Sequence, residues 1–178
     1  MQRVVAISVG IILLLSVWAC SSLYIARDHF ASPLPVKLIV RNDDYGEGFF
    51  GAKRSGNKVH NGVDFAANIG TPVLAVKPGV VQCARFKKGN GNFVVLKHSW
   101  GYSSYYCHLS KINVREGQKV CEGQVIGLVG KTGNADKSGM SAHLHFELHK
   151  DGIIYDPVQV MFSGGTRYAG KSSAGKSL

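Results

Sequence analysis

Asn92-Phe93-Val94-Val95-Leu96-Lys97-His98, then Ser99-Trp100-Gly101, then Tyr102-Ser103-Ser104-Tyr105-Tyr106-Cys107-His108 reads as two strands around a tight connection. β-Branched and aromatic residues fill both runs, and Gly101 supplies a turn residue between them. The same grammar extends in both directions. Thr71 to Val76 and Gly79 to Phe86 are short apolar runs before the hairpin, with a Lys-, Gly- and Asn-rich turn from Lys87 to Gly91. Val125 to Gly130 and His143 to His149 follow it. Between these strands no stretch carries a long 3.6-residue apolar period. The chain has 22 glycines, many of them between runs of Val, Ile and Leu. The expectation is an all-β, compact, antiparallel domain of β-sheet or β-sandwich type.

Outward from this centre, the ends of the 178-residue chain differ in character. Val4 to Ala26 is apolar and uncharged, between Arg3 and Arg27. That length crosses a hydrocarbon core as a helix. It also reads as an export signal, and Ala19-Cys20 resembles a lipoprotein cleavage site, although Trp18 fits that pattern poorly. Residues 1–27 are therefore expected to be a transmembrane anchor or lipoprotein signal. Residues 28–48 are expected to be a linker or upstream segment, with a short two-proline linker at Ser32 to Pro35 and a β pattern from Lys37 onward, residues 49–162 the folded domain, and residues 163–178 a flexible basic tail. About 130 residues remain for one globular unit.

The net charge is +10. Such a chain is drawn to polyanions. The charges are dispersed: Lys53, Arg54 and Lys58 before the first motif, Lys87 and Lys88 in a turn, Lys171 and Lys176 in the tail. No basic helix or aromatic-basic stretch marks a nucleic-acid interface, so specific nucleic-acid binding is not expected and a solvated cationic surface is. Of the 4 cysteines, Cys20 falls in the apolar leader. Cys83, Cys107 and Cys121 show no Cys-x-x-Cys spacing, which excludes a thiolate zinc site and leaves small buried thiols with at most one disulfide.

Three clusters carry the chemistry. His60-Asn61-Gly62-Val63-Asp64 offers an imidazole and a carboxylate, both suited to zinc at about 2.0–2.2 Å. His143-Leu144-His145-Phe146-Glu147 places His143 and His145 on one face of a strand, with Leu144 and Phe146 on the other. In Tyr105-Tyr106-Cys107-His108-Leu109, alternation puts Tyr106 and His108 on a shared face and turns Cys107 away. Each cluster alone is compatible with surface or structural histidines. Together they match a catalytic zinc site, which needs three protein ligands with an open position, a base for the water and a stabiliser for the oxyanion.

These motifs occur in a fixed order: Phe50-Gly51, His60-x-Gly62-Val63-Asp64, Gly70-Thr71-Pro72-Val73-x-Ala75, Gly79-x-Val81, Tyr106-x-His108-Leu109, Gly123-Gln124-x-Ile126-Gly127, Gly130-x-Thr132-Gly133, His143-Leu144-His145-Phe146-Glu147 and Asp156-Pro157. In that order the sequence resembles the lysostaphin/LytM-type zinc endopeptidases from about Phe50 to Pro157. The resemblance implies one zinc per domain, held by His60, Asp64 and His145, with His108 and His143 assisting catalysis. Their division of labour stays open: one takes the proton of the water, the other hydrogen-bonds the oxyanion. His98 reads as structural. Glu147 shares the His145 face, either orienting a ligand or standing as an exposed carboxylate. The implied activity is hydrolysis of peptide crosslinks in peptidoglycan by an envelope enzyme facing the periplasm of a diderm bacterium, with an envelope protein regulator as a candidate partner.

Two departures bear on substrate preference: Gly89-Asn90-Gly91, and Asp136-Lys137-Ser138 in the loop from Asn134 to Ser141, both expected near the rim of the groove. Relatives of this type raise the question of latency, with Asn42 or Asn57 occupying the open metal position. Rival readings are a catalytically silent regulator of another wall hydrolase, and a biotinyl/lipoyl-like sandwich. The first conflicts with the complete set of five site residues, and the second leaves the histidines without a purpose.

Overall fold

The computed structural model describes residues 29–162. Two small hairpins come first: β1 (Asn42–Asp43) with β2 (Gly46–Glu47), and β3 (Lys53–Arg54) with β4 (Lys58–Val59). Next come β5 (Val63–Ala66), β6 (Pro72–Leu74), β7 (Gly79–Lys87), β8 (Gly91–Lys97) and β9 (Tyr102–Leu109). The strands end with β10 (Lys111–Ile112), β11 (Lys119–Val120), β12 (Val125–Leu128), β13 (His143–Lys150) and β14 (Ile153–Tyr155). A short helix, α1 (Pro157–Phe162), closes the described chain. Val158 N–H is capped by the Asp156 carboxylate at 2.9 Å, and Pro157 stands at the first helical position, where its missing N–H costs nothing.

The large sheet runs β11-β7-β8-β9-β13-β14, with β5 also paired to β13. A second sheet has the order β10-β12-β6. Every pairing is antiparallel. Side chains from both sheets meet in one apolar cluster that includes Val73, Ile126, Val81, Leu96, Tyr106, Leu144, Phe146 and Leu148. This is the expected all-β antiparallel architecture, and the hairpin of β8 and β9 lies at its middle. The connection takes the left-handed backbone at Trp100 (φ 57°) and at Gly101 (φ 76°). A buried polar chain crosses the core: His98 Nδ1–H donates to Pro78 O at 2.8 Å, and its Nε2 lies 2.7 Å from Ser104 Oγ. Tyr106 Oη then accepts Val76 N–H at 3.0 Å. His98 is thus structural, as its place in the sequence implies.

Of the expected linker or upstream segment, residues 29–48 pack on the fold. Phe30 and Leu34 are buried in the main core, Phe30 edge-on to Tyr102 at 5.1 Å. Ala31 N–H bonds Val76 O, and Leu74 N–H bonds Pro33 O, so the two prolines flank a segment that pairs alongside β6. Further on, Val40 bridges Phe65, and Arg41 N–H bonds Asp64 O at 2.8 Å. The folded body therefore begins well before residue 49. A proline pair in sequence looks like a spacer, but each proline keeps its carbonyl and accepts hydrogen bonds normally. Cys83 and Cys107 carry free thiols, so no disulfide joins them. Among the described residues no helix is long and apolar enough to cross a membrane. The expected leader and basic tail lie outside the described residues.

Candidate metal centre

β13 alternates as the sequence requires. Leu144, Phe146 and Leu148 enter the core, while His143, His145 and Glu147 line a groove of about 540 Å³ on the other face. β5 runs beside it, with Asp64 opposite His145. His60 arrives from the loop before β5, and close approach there requires glycine. A Cβ on Gly62 would lie 2.4 Å from Phe146 O and 3.0 Å from His145 Cε1.

His60 Nε2, Asp64 Oδ1 and His145 Nδ1 form a triangle with sides of 2.8, 2.9 and 3.0 Å. The two imidazoles of the triangle are held from behind. His60 Nδ1–H donates to Phe49 O at 2.8 Å, and His145 Nε2 contacts Glu147 Oε1 at 2.9 Å. Glu147 thus stands between two imidazoles, with His149 Nε2 on its other oxygen at 2.7 Å. Donors around a tetrahedral zinc with bonds of about 2.1 Å stand about 3.4 Å apart. An opening of about half an ångström in this triangle accommodates the ion.

The electrostatics agree with a cation here. Burial works against ionising Asp64, but hydrogen bonds and ion pairing with His145 and His60 overcome it and hold the carboxyl far below the usual range. Burial likewise opposes charge on His145, yet Asp64 and Glu147 raise it to about 9. A positive charge at this point is favoured whether a proton or a metal ion carries it. Glu147, despite burial, is held near 2 by His145 and His149.

His143 and His108 stand beside the triangle with ring centroids 5.1 Å apart. His143 Nδ1–H donates to Ser141 O at 2.7 Å, and its Nε2 lies 4.0 Å from Asp64 Oδ1. His108 Nδ1–H donates to Thr132 O at 2.9 Å. In both neutral rings the lone pair is thereby placed on Nε2. Burial, reinforced by His145 and His143, pushes His108 down to about 4, and burial also lowers His143. Both are neutral bases at physiological pH.

All five residues expected from sequence are gathered in one groove, but one expectation about them was wrong. Tyr106 and His108 do not share a face. Tyr106 is fully buried against Phe146, while Cys107 and His108 both line the groove. An extra residue on β9 shifts its register with β8 between Asn92 and Val94, and His108 takes φ 64°. This bulge breaks the alternation. The loops at Gly89–Asn90 and Asn134–Lys137 border the groove as expected. Neither Asn42 nor Asn57 lines it, so neither fills the metal position.

Sequence reasoning missed Arg41 and undervalued Arg54. Arg41 Nη2–H donates to Asp64 Oδ2 at 3.0 Å and Arg54 Nη2–H reaches the same oxygen at 3.4 Å, leaving Oδ1 for the triangle. Nothing in a lone arginine ahead of the motifs marks it as a partner of Asp64. Only the pairing of residues 39–41 with β5 reveals it.

A family model described as Peptidase family M23 matches residues 58–157. The peptidoglycan DD-endopeptidase ShyA of Vibrio cholerae is 51% identical over 89 residues, 50% of this chain and 20% of the relative. A crystal structure of a zinc containing peptidase from Vibrio cholerae superposes with a TM-score of 0.59 at 36% identity, covering 72% of this chain and 39% of that one. The catalytic domain of lysostaphin from Staphylococcus simulans gives a TM-score of 0.55 at 36% identity, covering 64% and 87%. This chain spans only 20% to 22% of the length of curated relatives such as ShyA and an uncharacterized metalloprotease of Haemophilus influenzae.

Proposed function

The chain belongs to peptidase family M23, and from that premise we propose that it is a zinc-dependent endopeptidase cutting peptide crosslinks of peptidoglycan. The observation that carries this reading is the pairing of a complete His60–Asp64–His145 triangle with two neutral histidines on the same groove. A silent regulator has no use for that pairing.

His60, Asp64 and His145 would hold the zinc, which when bound would supply Lewis acidity toward a water and a peptide carbonyl. The protein's own groups do the rest. His108 and His143 present Nε2 lone pairs, since their Nδ1–H groups are committed to Thr132 and Ser141 carbonyls. One of them takes the proton of the attacking water. Only then does it carry an Nε2–H, which it returns to the leaving amine. A neutral partner cannot donate to the oxyanion from Nε2, so that task falls to whichever ring is protonated at the time.

The groove is also lined by Arg54, Lys58 and Lys137. Wall stem peptides carry free carboxylates, which such a lining attracts. The apolar leader in residues 4–26 supports placement at the envelope, anchored or lipidated.

The test is to purify the full chain, quantify zinc, and incubate it with crosslinked wall peptides beside His145→Ala and His108→Ala. Expected are about one zinc per chain and crosslink cleavage, loss of metal in His145→Ala, and retained metal without cleavage in His108→Ala. A folded parent that holds no zinc and cuts nothing overturns the proposal in favour of a regulator.

A further inference from the structure

The hairpin of β1 and β2 lies ahead of the family match at residues 58–157, yet it reaches two separate parts of the site. Arg41 is 3% exposed. Its guanidinium forks between two carboxylates: Nη2–H to Asp64 Oδ2 at 3.0 Å, and Nη1–H to Asp43 Oδ1. Asp43 Oδ1 also accepts Tyr45 N–H at 2.9 Å, and its Oδ2 accepts Ser141 N–H at 2.9 Å. Ser141 O in turn holds His143 Nδ1–H at 2.7 Å. A continuous path therefore joins Asp64, Arg41, Asp43, Ser141 and His143. Tyr45 adds a second tie to the same loop, its hydroxyl donating to Ser138 O at 2.7 Å.

We infer that Arg41 and Asp43 are positioning residues of this site, Arg41 confining Asp64 to one ligating oxygen and Asp43 setting the angle of His143 through the Ser141 loop. The burial separates this from an ordinary surface ion pair: the side chains of Arg41, Asp64 and Asp43 are 3%, 5% and 10% exposed. The fork matters as well as the charge. A planar guanidinium holds two carboxylates at fixed angles, which an ammonium does not. Gly48 lets the hairpin close, because a Cβ there would lie 2.8 Å from Asp64 Cβ. The His143 half of the inference rests on the hydrolase reading; the Asp64 half needs only metal binding.

The experiment uses the full chain with Arg41→Met, Arg41→Lys and Asp43→Asn, each checked for parental circular dichroism. Zinc affinity is measured by competition with a chromogenic chelator, and kcat and KM on crosslinked wall peptide. Arg41→Met is expected to bind zinc about tenfold or more weakly, the usual scale for a lost outer partner. Arg41→Lys keeps the charge without the fork and is expected to show the same weakening if Arg41→Met does not fold. Asp43→Asn retains an acceptor for Arg41 but loses the acceptor facing Ser141. It is expected to keep zinc within about threefold while kcat falls about tenfold at unchanged KM. Parental zinc affinity in Arg41→Met or Arg41→Lys overturns the role of Arg41, and parental kcat in Asp43→Asn overturns that of Asp43. A parent that binds zinc and cuts no peptide sinks the hydrolase reading instead, while the affinity series still decides Arg41.

Discussion

His108 follows Tyr106 by two residues on β9 and faces the opposite side of the sheet. Tyr106 lies in the core 5.3 Å from Phe146, and the His108 ring stands 5.1 Å from His143 in the groove. The cause is the left-handed backbone at His108, φ 64°, within a β-bulge. A non-glycine residue there carries a conformational cost of about 1 kcal/mol or more. His108→Gly relieves it and His108→Ala does not. Both variants are expected to lose activity and keep zinc, but the glycine variant should melt higher than the alanine variant, by roughly 1 kcal/mol in denaturant titration. Equal stability of the two would show that the bulge does not strain this position.

Glu147 accepts from His145 Nε2 at 2.9 Å and contacts His149 Nε2 at 2.7 Å. Glu147→Gln removes the charge that favours a cation on His145 and offers only one acceptor atom. Zinc affinity is expected to fall by about 10- to 100-fold with the fold intact, read by chelator competition and near-ultraviolet circular dichroism. Unchanged affinity would return Glu147 to the status of a surface carboxylate.

Gly62 brings the His60 loop against β13. An alanine methyl would collide with Phe146 O at 2.4 Å, where backbone cannot yield cheaply. Gly62→Ala is expected to cost about 1–3 kcal/mol and to part His60 and Asp64 from His145. Thermal melting with and without zinc checks this. The parent should gain stability from the metal, and the variant should gain much less.

His98 gives a pH dependence away from the metal. Burial, aided by Lys77, lowers it to about 4 from 6.5, so the folded state binds fewer protons than the unfolded chain between those values. Its contribution is complete above pH 6.5 and is lost as pH falls toward 4, about 3 kcal/mol in all. Urea titrations from pH 7.5 to 4 should show a steeper decline in the zinc-free parent than in His98→Gln. Parallel curves would sink this assignment.

Period-two patterning was legible in β13 because the strand is regular: Leu144 and Phe146 go inward, and His143 and His145 go outward. The long strands β7, β8 and β9 were legible from their runs of β-branched and aromatic residues, although β7 and β9 each carry a register shift. On β9 the pattern misled at its final residues, since a bulge is an insertion relative to a neighbouring strand and the neighbour is invisible in local sequence. The boundary at residue 49 misled because Leu34 between two prolines looks like a spacer until its burial is seen.

By itself the sequence determined the strand composition and named the five groove residues, because residue types and the order of the motifs are written along the chain, while local alternation oriented only His143 and His145 correctly. Tertiary structure alone decided which oxygen of Asp64 faces the histidines, that Arg41 takes the other, and that Asp43 reaches the loop of His143. Those contacts join residues from 23 to 98 positions apart. Whether such groups meet depends on strand register and on where a backbone without a Cβ lets two segments close, and neither is written in any local stretch of chain.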